Sequence, residues 1–134
     1  MPLYVDTSAL IKRYVREPES DHYEQILAND PYWATARHTL IELKRNLARM
    51  LRGHALSHAY QQVEADWTRM VVLDLDQQTC ALALDCAERT GVRTLDALHL
   101  GAARIMGPEV VVFVTHDRRQ AVAARALGFT VAGV

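Results

Sequence analysis

Sixteen of the 134 residues are Asp or Glu, and most are spaced as solvated surface charge. Glu17, Glu19, Asp21, Glu24, Asp30, Glu64, Asp66, Asp85, Glu88 and Glu109 fall on polar helix faces or in loops. Four others are placed differently. Asp6 ends the apolar run "LYV", Asp117 follows "VVVFVT" after one residue, and each precedes a helical pattern. A carboxylate there can cap the helix by accepting from its first free N–H groups. It can also belong to a charged site, and two carboxylates at equivalent strand ends favour that second reading. Glu42, in "HTLIELKRNL", lies off the apolar stripe of Leu40, Leu43, Leu47, Met50 and Leu51, on a face shared with His38, Arg45, Asn46 and Arg49. An ion pair with Arg45, three residues on, would account for it and contribute roughly 0.2–0.5 kcal/mol. Asp96, in "TLDALHLGAA", can interact favourably with a helix dipole. The surrounding Leu95, Ala97, Leu98 and Leu100 imply burial, however, and a buried carboxylate without a partner is costly. Asp74 and Asp76 also follow an apolar run, but Asp76 reads as a helix cap and neither is placed in the site.

The elements that must carry these residues alternate. Short apolar runs at 3–6, 32–35, 70–75, 110–115 and 129–132 read as strands. Amphipathic segments at 8–16, 19–29, 36–52, 55–69, 77–90, 94–106 and 118–127 read as helices. Gly53 and Gly91 are placed to end helices, Pro18 to stop the first, and Asp76 and Thr94 to cap others. The run 110–115 is continuous and β-branched, which predicts burial on both faces. Strands separated by helices require crossover connections and hence a parallel sheet. The expected architecture is α/β, a three-layer sandwich around four or five short parallel strands. In such folds ligands bind beyond the carboxyl ends of the strands, where Asp6 and Asp117 would project.

The length, half of it apolar, fits a single domain spanning 1–134. A formal charge of -1 gives no global attraction for a polyanion, so any nucleic acid would be held by a local patch. The start lacks a basic leader with a long apolar stretch, and no apolar run approaches the ~20 residues of a membrane span. Cys80 and Cys86 lie six residues apart on one helical pattern, pointing in different directions. They read as two buried thiols of a cytoplasmic protein. There is no G-x-G-x-x-G or P-loop, and no Cys/His cluster has zinc-finger spacing.

Taken in order, "LYVDTSAL", "HTLIEL", "TLDALHLGAA" and "VVVFVTHDRRQAVAARALGF" resemble a PIN-domain ribonuclease of the VapC toxin type, from end to end of the chain. The resemblance implies a site of Asp6, Glu42, Asp96 and Asp117 that holds Mg²⁺ or Mn²⁺ and cuts single-stranded RNA. It implies that Ser8 and Thr115 support the carboxylates through their hydroxyls. It also implies a cognate antitoxin that occupies the cleft, and a homodimer.

The chemistry behind that expectation is general. Clustered carboxylates repel and raise one another's pKa unless a cation offsets them, and hard oxygen donors suit Mg²⁺ or Mn²⁺. Such an ion polarises a phosphoryl oxygen and activates a water for in-line attack on a phosphodiester. Asp6 and Asp96 are the first-choice ligands, with Glu42 binding the ion or orienting the water and Asp117 binding directly or through water. His38 and His99 each share a helix face with a carboxylate and read as supporting or packing residues. His54 and His58 read as solvated, and His116 as a flank of the site. Basic residues near the acids could hold RNA phosphates: Lys12, Arg13 and Arg16; Arg37, Lys44, Arg45, Arg49 and Arg52; Arg118 and Arg119. Arg45, Arg49 and Arg118 are the leading RNA-binding candidates. Tyr14, Tyr32 and Trp33 could stack on bases, with core packing the better reading of Trp33. Two other functions remain: a catalytically silent PIN-like module that binds RNA or protein, and a metal-dependent phosphatase or signalling domain. The missing second Asp of a D-x-D loop in "VDTSA" weighs against the phosphatase.

Overall fold

The computed structural model describes residues 1–134. The chain runs β1 (Leu3–Val5), α1 (Thr7–Leu10, continued by a 3₁₀ turn over Ile11–Arg13), α2 (Ser20–Ala28), β2 (Trp33–Ala36), α3 (Thr39–Met50) and α4 (Gly53–Trp67). It continues through β3 (Val71–Leu73), α5 (Gln77–Thr90), α6 (Thr94–Met106), β4 (Val112–Thr115), α7 (Arg118–Ala126) and β5 (Thr130–Gly133). The five strands form one sheet in the order β3-β2-β1-β4-β5, every pair parallel.

That order explains where the site lies. From β1 the chain winds outward to β3, then returns to lay β4 on the other side of β1. The winding reverses between β1 and β4, where departing connections diverge and open a crevice at the carboxyl edge. The two strands are locked in register with Val5 opposite Val114, and Asp6 N–H donates to Val114 O at 3.1 Å, one residue beyond β1. Asp6 and Thr115 are thus delivered to the same edge.

Side chains alternate across β1. Leu3 and Val5 join Leu10, Tyr23, Leu43, Leu47 and Val63 on the face covered by α1–α4. Tyr4 joins Leu100, Phe113, Ala124 and Phe129 on the face covered by α5–α7. Helices on both faces make three layers. Tyr4 stacks on Phe113 with ring centroids 5.2 Å apart. Burying a side chain such as Phe113 or Leu100 contributes about 1.5–3 kcal/mol. Gly101 seats α6 on α5, because a Cβ there would fall within 2.8 Å of Ala83 N, Ala83 Cβ and Thr79 O.

Several local expectations are corrected. α1 gives way to a 3₁₀ turn after Leu10 rather than running to 16. Gly53 opens α4 with φ +56° instead of closing α3, which ends where Leu51 turns extended. Thr94 is the first residue of α6; Arg93 holds the cap position, without a side-chain cap. Met50 and Leu95 are exposed, at 47% and 51%, each at an end of its helix. Of the two thiols only Cys86 is buried; Cys80 is exposed. Asp66 is buried, not solvated: it accepts from Arg13 Nε at 2.7 Å and from Tyr14 O–H at 2.7 Å. This contact also buries Tyr14, which removes it from base stacking. No helix is long and apolar enough to cross a membrane.

Candidate active site

Asp6 is both cap and cluster member. Its Oδ1 accepts from Ala9 N–H at 3.1 Å, capping α1, and from Ser8 O–H at 2.7 Å. Its Oδ2 accepts from Thr115 O–H at 2.5 Å. The two hydroxyl groups in turn accept from the β4–α7 connection, Ser8 from His116 N–H at 2.8 Å and Thr115 from Asp117 N–H at 3.0 Å. Asp6 is 3% exposed. Burial holds its pKa above the ordinary carboxylate value, against the opposing pull of His99 and of the donors from Thr115, Ser8 and Ala9.

Asp117 caps α7, accepting from Arg119 N–H at 2.8 Å and Gln120 N–H at 3.2 Å. The buried Gln120 side chain then donates to Asp96 O at 3.0 Å, tying the start of α7 to the first turn of α6. The Asp96 carboxylate, half-buried, accepts no hydrogen bond from the chain. Its pKa is raised by burial first, then by the negative charge of Asp117, with smaller contributions from Asp6 and Glu42. Four acids from β1, α3, α6 and the β4–α7 connection therefore act on one another at the carboxyl edge.

Glu42 is held apart from this pattern. Its Oε1 accepts from Thr7 O–H at 2.6 Å and lies 2.9 Å from His99 Nε2 and 3.5 Å from His38 Nε2. His99 Nδ1 lies 2.8 Å from Tyr4 O–H, whose pKa burial drives well above the ordinary phenol value. Tyr4 thus keeps its proton and donates to Nδ1, leaving His99 Nε2–H to donate to Glu42. Burial alone would push the Glu42 carboxyl up, but the hydrogen bonds from His99 and Thr7 hold it below its usual value. His38 donates Nε2–H to Leu95 O at 3.2 Å, while its Nδ1 is buried without a partner. Its pKa falls to about 4, from burial and then from the neighbouring His99. The alternative account of Glu42, an ion pair with Arg45, does not apply, since its partners are His38 and His99.

Asp6, Asp96 and Asp117 offer only carboxylate oxygens, the donor type that hard divalent cations take. The upward shift of Asp96 by its acidic neighbours is what a cation would relieve. Their donor type fits such an ion, which would have to draw them together, since no three of Asp6, Glu42, Asp96 and Asp117 bring ligand atoms within 4.8 Å of one another.

A cleft of about 730 Å³ runs from Asp96 and Asp117 between α7 and residues 89–93, the end of α5 and the loop after it. Val92, Val122, Ala123 and Ala126 give it an apolar floor, and Arg89, Arg93, Arg118 and Arg119 line it. Arg93, Arg118 and Arg119 form no ion pair, whereas most other candidate cations are neutralised. Lys12 meets Glu17 and Glu19, Arg13 meets Asp66 and Glu24, and Arg16 meets Asp21. Arg37 meets Asp74 and Lys44 meets Glu64. Of the three leading RNA candidates, Arg118 lines the cleft and Arg45 and Arg49 do not, although both are exposed and unpaired. Sequence reasoning missed Arg93, which stands three positions before Asp96, and did not pair His99 with Glu42. His116 flanks the site as expected, meeting Tyr23 O–H at 2.7 Å.

The family model of the PIN domain matches residues 3–126. Ribonuclease VapC47 of Mycobacterium tuberculosis is 31% identical over 134 residues, spanning 97% of this chain and 95% of that protein. In the crystal structure of M. tuberculosis VapC20, a Sarcin-Ricin loop cleaving toxin, the fold matches with a TM-score of 0.74 at 20% identity, over 98% of both chains. DNA-bound VapBC from Salmonella typhimurium matches with a TM-score of 0.71 at 24% identity, again over 98% of both chains.

Proposed function

This chain belongs to the PIN-domain family, and from that premise we propose that it is a metal-dependent endoribonuclease that hydrolyses phosphodiester bonds in RNA as the toxin of a toxin–antitoxin pair. The observation that supports this most is Asp96: half-buried, without an internal donor, and pushed up by burial first and then by three other acids at the switch point of the sheet. The similarity to ribonuclease VapC47 over nearly the whole chain supports RNA as the substrate.

Asp6, Asp96 and Asp117 hold Mg²⁺ or Mn²⁺, with Glu42 completing the acidic site. When bound, the ion supplies a Lewis acid for the phosphoryl oxygen and lowers the pKa of an attacking water. Ser8, Thr115 and Ala9 N–H fix the Asp6 carboxylate, so its orientation costs little at the moment of reaction. Glu42, kept ionised by Thr7 and His99, orients the water and accepts its proton. Arg93, Arg118 and Arg119 hold RNA phosphates in the cleft and so draw a polyanion toward an acidic centre. Phosphate contacts of this kind position the strand without reading its sequence.

The partner is a cognate antitoxin whose basic side chain enters the acidic cluster, where carboxylates suit a bidentate Arg. The working form is a homodimer in the cytoplasm, and the exposed Ile41 on α3, at 72%, fits burial against another chain.

The deciding experiment incubates the protein with a small RNA panel in Mg²⁺ or Mn²⁺, with and without chelator, beside Asp6→Ala and Asp96→Asn. Cleavage that stops with chelator, returns with added ion and is lost in both variants is expected. Cleavage indifferent to chelator would overturn the mechanism. RNA binding without cutting would instead identify a silent module.

A further inference from the structure

We propose that His38, Glu42 and His99 form a second cation site, one that takes Zn²⁺ or a similar nitrogen-preferring transition ion and withdraws Glu42 from the catalytic set. The consequence for RNA cleavage rests on the function proposed above; the binding site itself does not.

The geometry carries the site. One ligand atom from each of the three residues lies within 4.8 Å of the others. Glu42 Oε1 is 2.9 Å from His99 Nε2 and 3.5 Å from His38 Nε2. A tetrahedral zinc ion with bonds of about 2.0–2.1 Å has ligand–ligand edges of about 3.3–3.4 Å. The two observed spacings bracket that edge, so small side-chain shifts admit the ion. The two imidazole rings lie side by side, tilted by 46° with centroids 4.2 Å apart. Glu42, at 24% side-chain exposure, leaves an approach from solvent and a fourth position for water.

His99 also has an outer partner in place. When His99 Nε2 binds an ion, its proton resides on Nδ1 and is donated to Tyr4 O, which turns from donor to acceptor at the same 2.8 Å contact. An acceptor on the far nitrogen is the usual support of a ligating histidine. His38 bears a cost: its Nε2 must leave Leu95 O, and its Nδ1, buried with no partner, then carries the ring proton. Binding exchanges that single hydrogen bond for a metal bond.

Ligand softness separates the two sites. Imidazole with carboxylate suits Zn²⁺ and its neighbours, while all-oxygen Asp6, Asp96 and Asp117 suit Mg²⁺ and Mn²⁺. Both draw on Glu42, which cannot serve the water and a zinc ion together. Zinc is therefore expected to inhibit cleavage even with Mg²⁺ saturating.

The test uses the full chain with saturating Mg²⁺ and Co²⁺ as a zinc substitute, read by the visible absorption of tetrahedral Co²⁺ and by its loss when Zn²⁺ is added. His54 and His58, exposed on α4, and the exposed Cys80 could bind such ions elsewhere, so His54→Ala/His58→Ala and Cys80→Ser are run in parallel. One equivalent of Co²⁺ is expected in the wild type and in both controls. In His38→Gln, whose amide can still donate to Leu95 O, affinity is expected to fall by more than the roughly 10–100-fold that losing an outer partner costs. Mg²⁺-dependent cleavage by His38→Gln is expected to persist and to escape zinc inhibition. Should that variant fail to fold, Glu42→Gln carries the same binding test. Unchanged Co²⁺ binding in the variant, or binding abolished by Asp96→Asn and not by His38→Gln, would overturn the proposal. Absence of RNA cleavage in every sample would count against the proposed function and leave the binding result to decide this one.

Discussion

Asp96 and Glu42 stand at the same sheet edge, and their surroundings pull them in opposite directions. Asp96 is half-buried, with no donor from the chain and three acidic neighbours, so its proton is held more tightly than in water. Glu42 is as close to burial, yet Thr7 and His99 donate to it, and its proton is held less tightly. One carboxylate is left wanting a cation; the other is already provided for. The difference teaches that an acidic site need not be uniform. Its members divide into groups kept reactive at a cost to the fold and groups held still by it.

The largest effect that would sharpen this contrast is on Asp96. Asp96→Asn is expected to reduce cleavage by roughly 10²–10³-fold, the scale of losing one preorganised electrostatic group. At pH 7.5 without metal the same variant should melt at a higher temperature, because a repelled charge is removed. Glu42→Ala should do the reverse to stability. It leaves the buried His99 and Thr7 donors unmet, which costs about 1–3 kcal/mol, to be read as a lower urea midpoint at unchanged slope. If both variants shift stability in the same direction, the division between the two acids is wrong.

A smaller effect concerns the cleft. Arg118→Ala should reduce the slope of log affinity against log salt by about 0.7 for single-stranded RNA, one phosphate contact's worth. Arg45→Ala, outside the cleft, should leave the slope unchanged. The smallest effect is on pH dependence. The folded pKa of Asp96 lies above its unfolded value, so its cost is present above the folded value and fades as pH falls from there to the unfolded value. The folded pKa of Glu42 lies below its unfolded value, so its contribution is present above the unfolded value and is lost as pH falls through the folded one. On acidification wild type should therefore lose stability relative to Glu42→Ala and gain it relative to Asp96→Asn. Urea titrations at a series of pH values check the two opposite signs.

Much of this arrangement was legible locally. The pattern of an apolar run followed within two residues by Asp and then a helix placed Asp6 and Asp117 at strand ends, and both do cap helices there. The helix from 77 to 90, its Asp76 cap and its Gly91 end follow the local signals closely. Local signals failed where two explanations shared one residue. Gly53 could end one helix or start the next, and the extended Leu51 decided it. Asp66 has the spacing of a surface residue, and only its meeting with Arg13 and Tyr14, more than fifty positions away, buries it.

Sequence alone determined the strand and helix order, the parallel sheet, and the placing of Asp6 and Asp117 at its carboxyl edge. These follow from periodicity and from the chirality of crossovers, which act over a few residues or one connection. The tertiary structure decided which charges are already spent. Arg13 and Lys12 are neutralised while Arg93 and Arg118 are not, and Glu42 is satisfied by His99 from 57 positions away. The physical reason is that desolvation and pairing depend on distance in space, and residues far apart in the chain become neighbours only when β4 is laid beside β1.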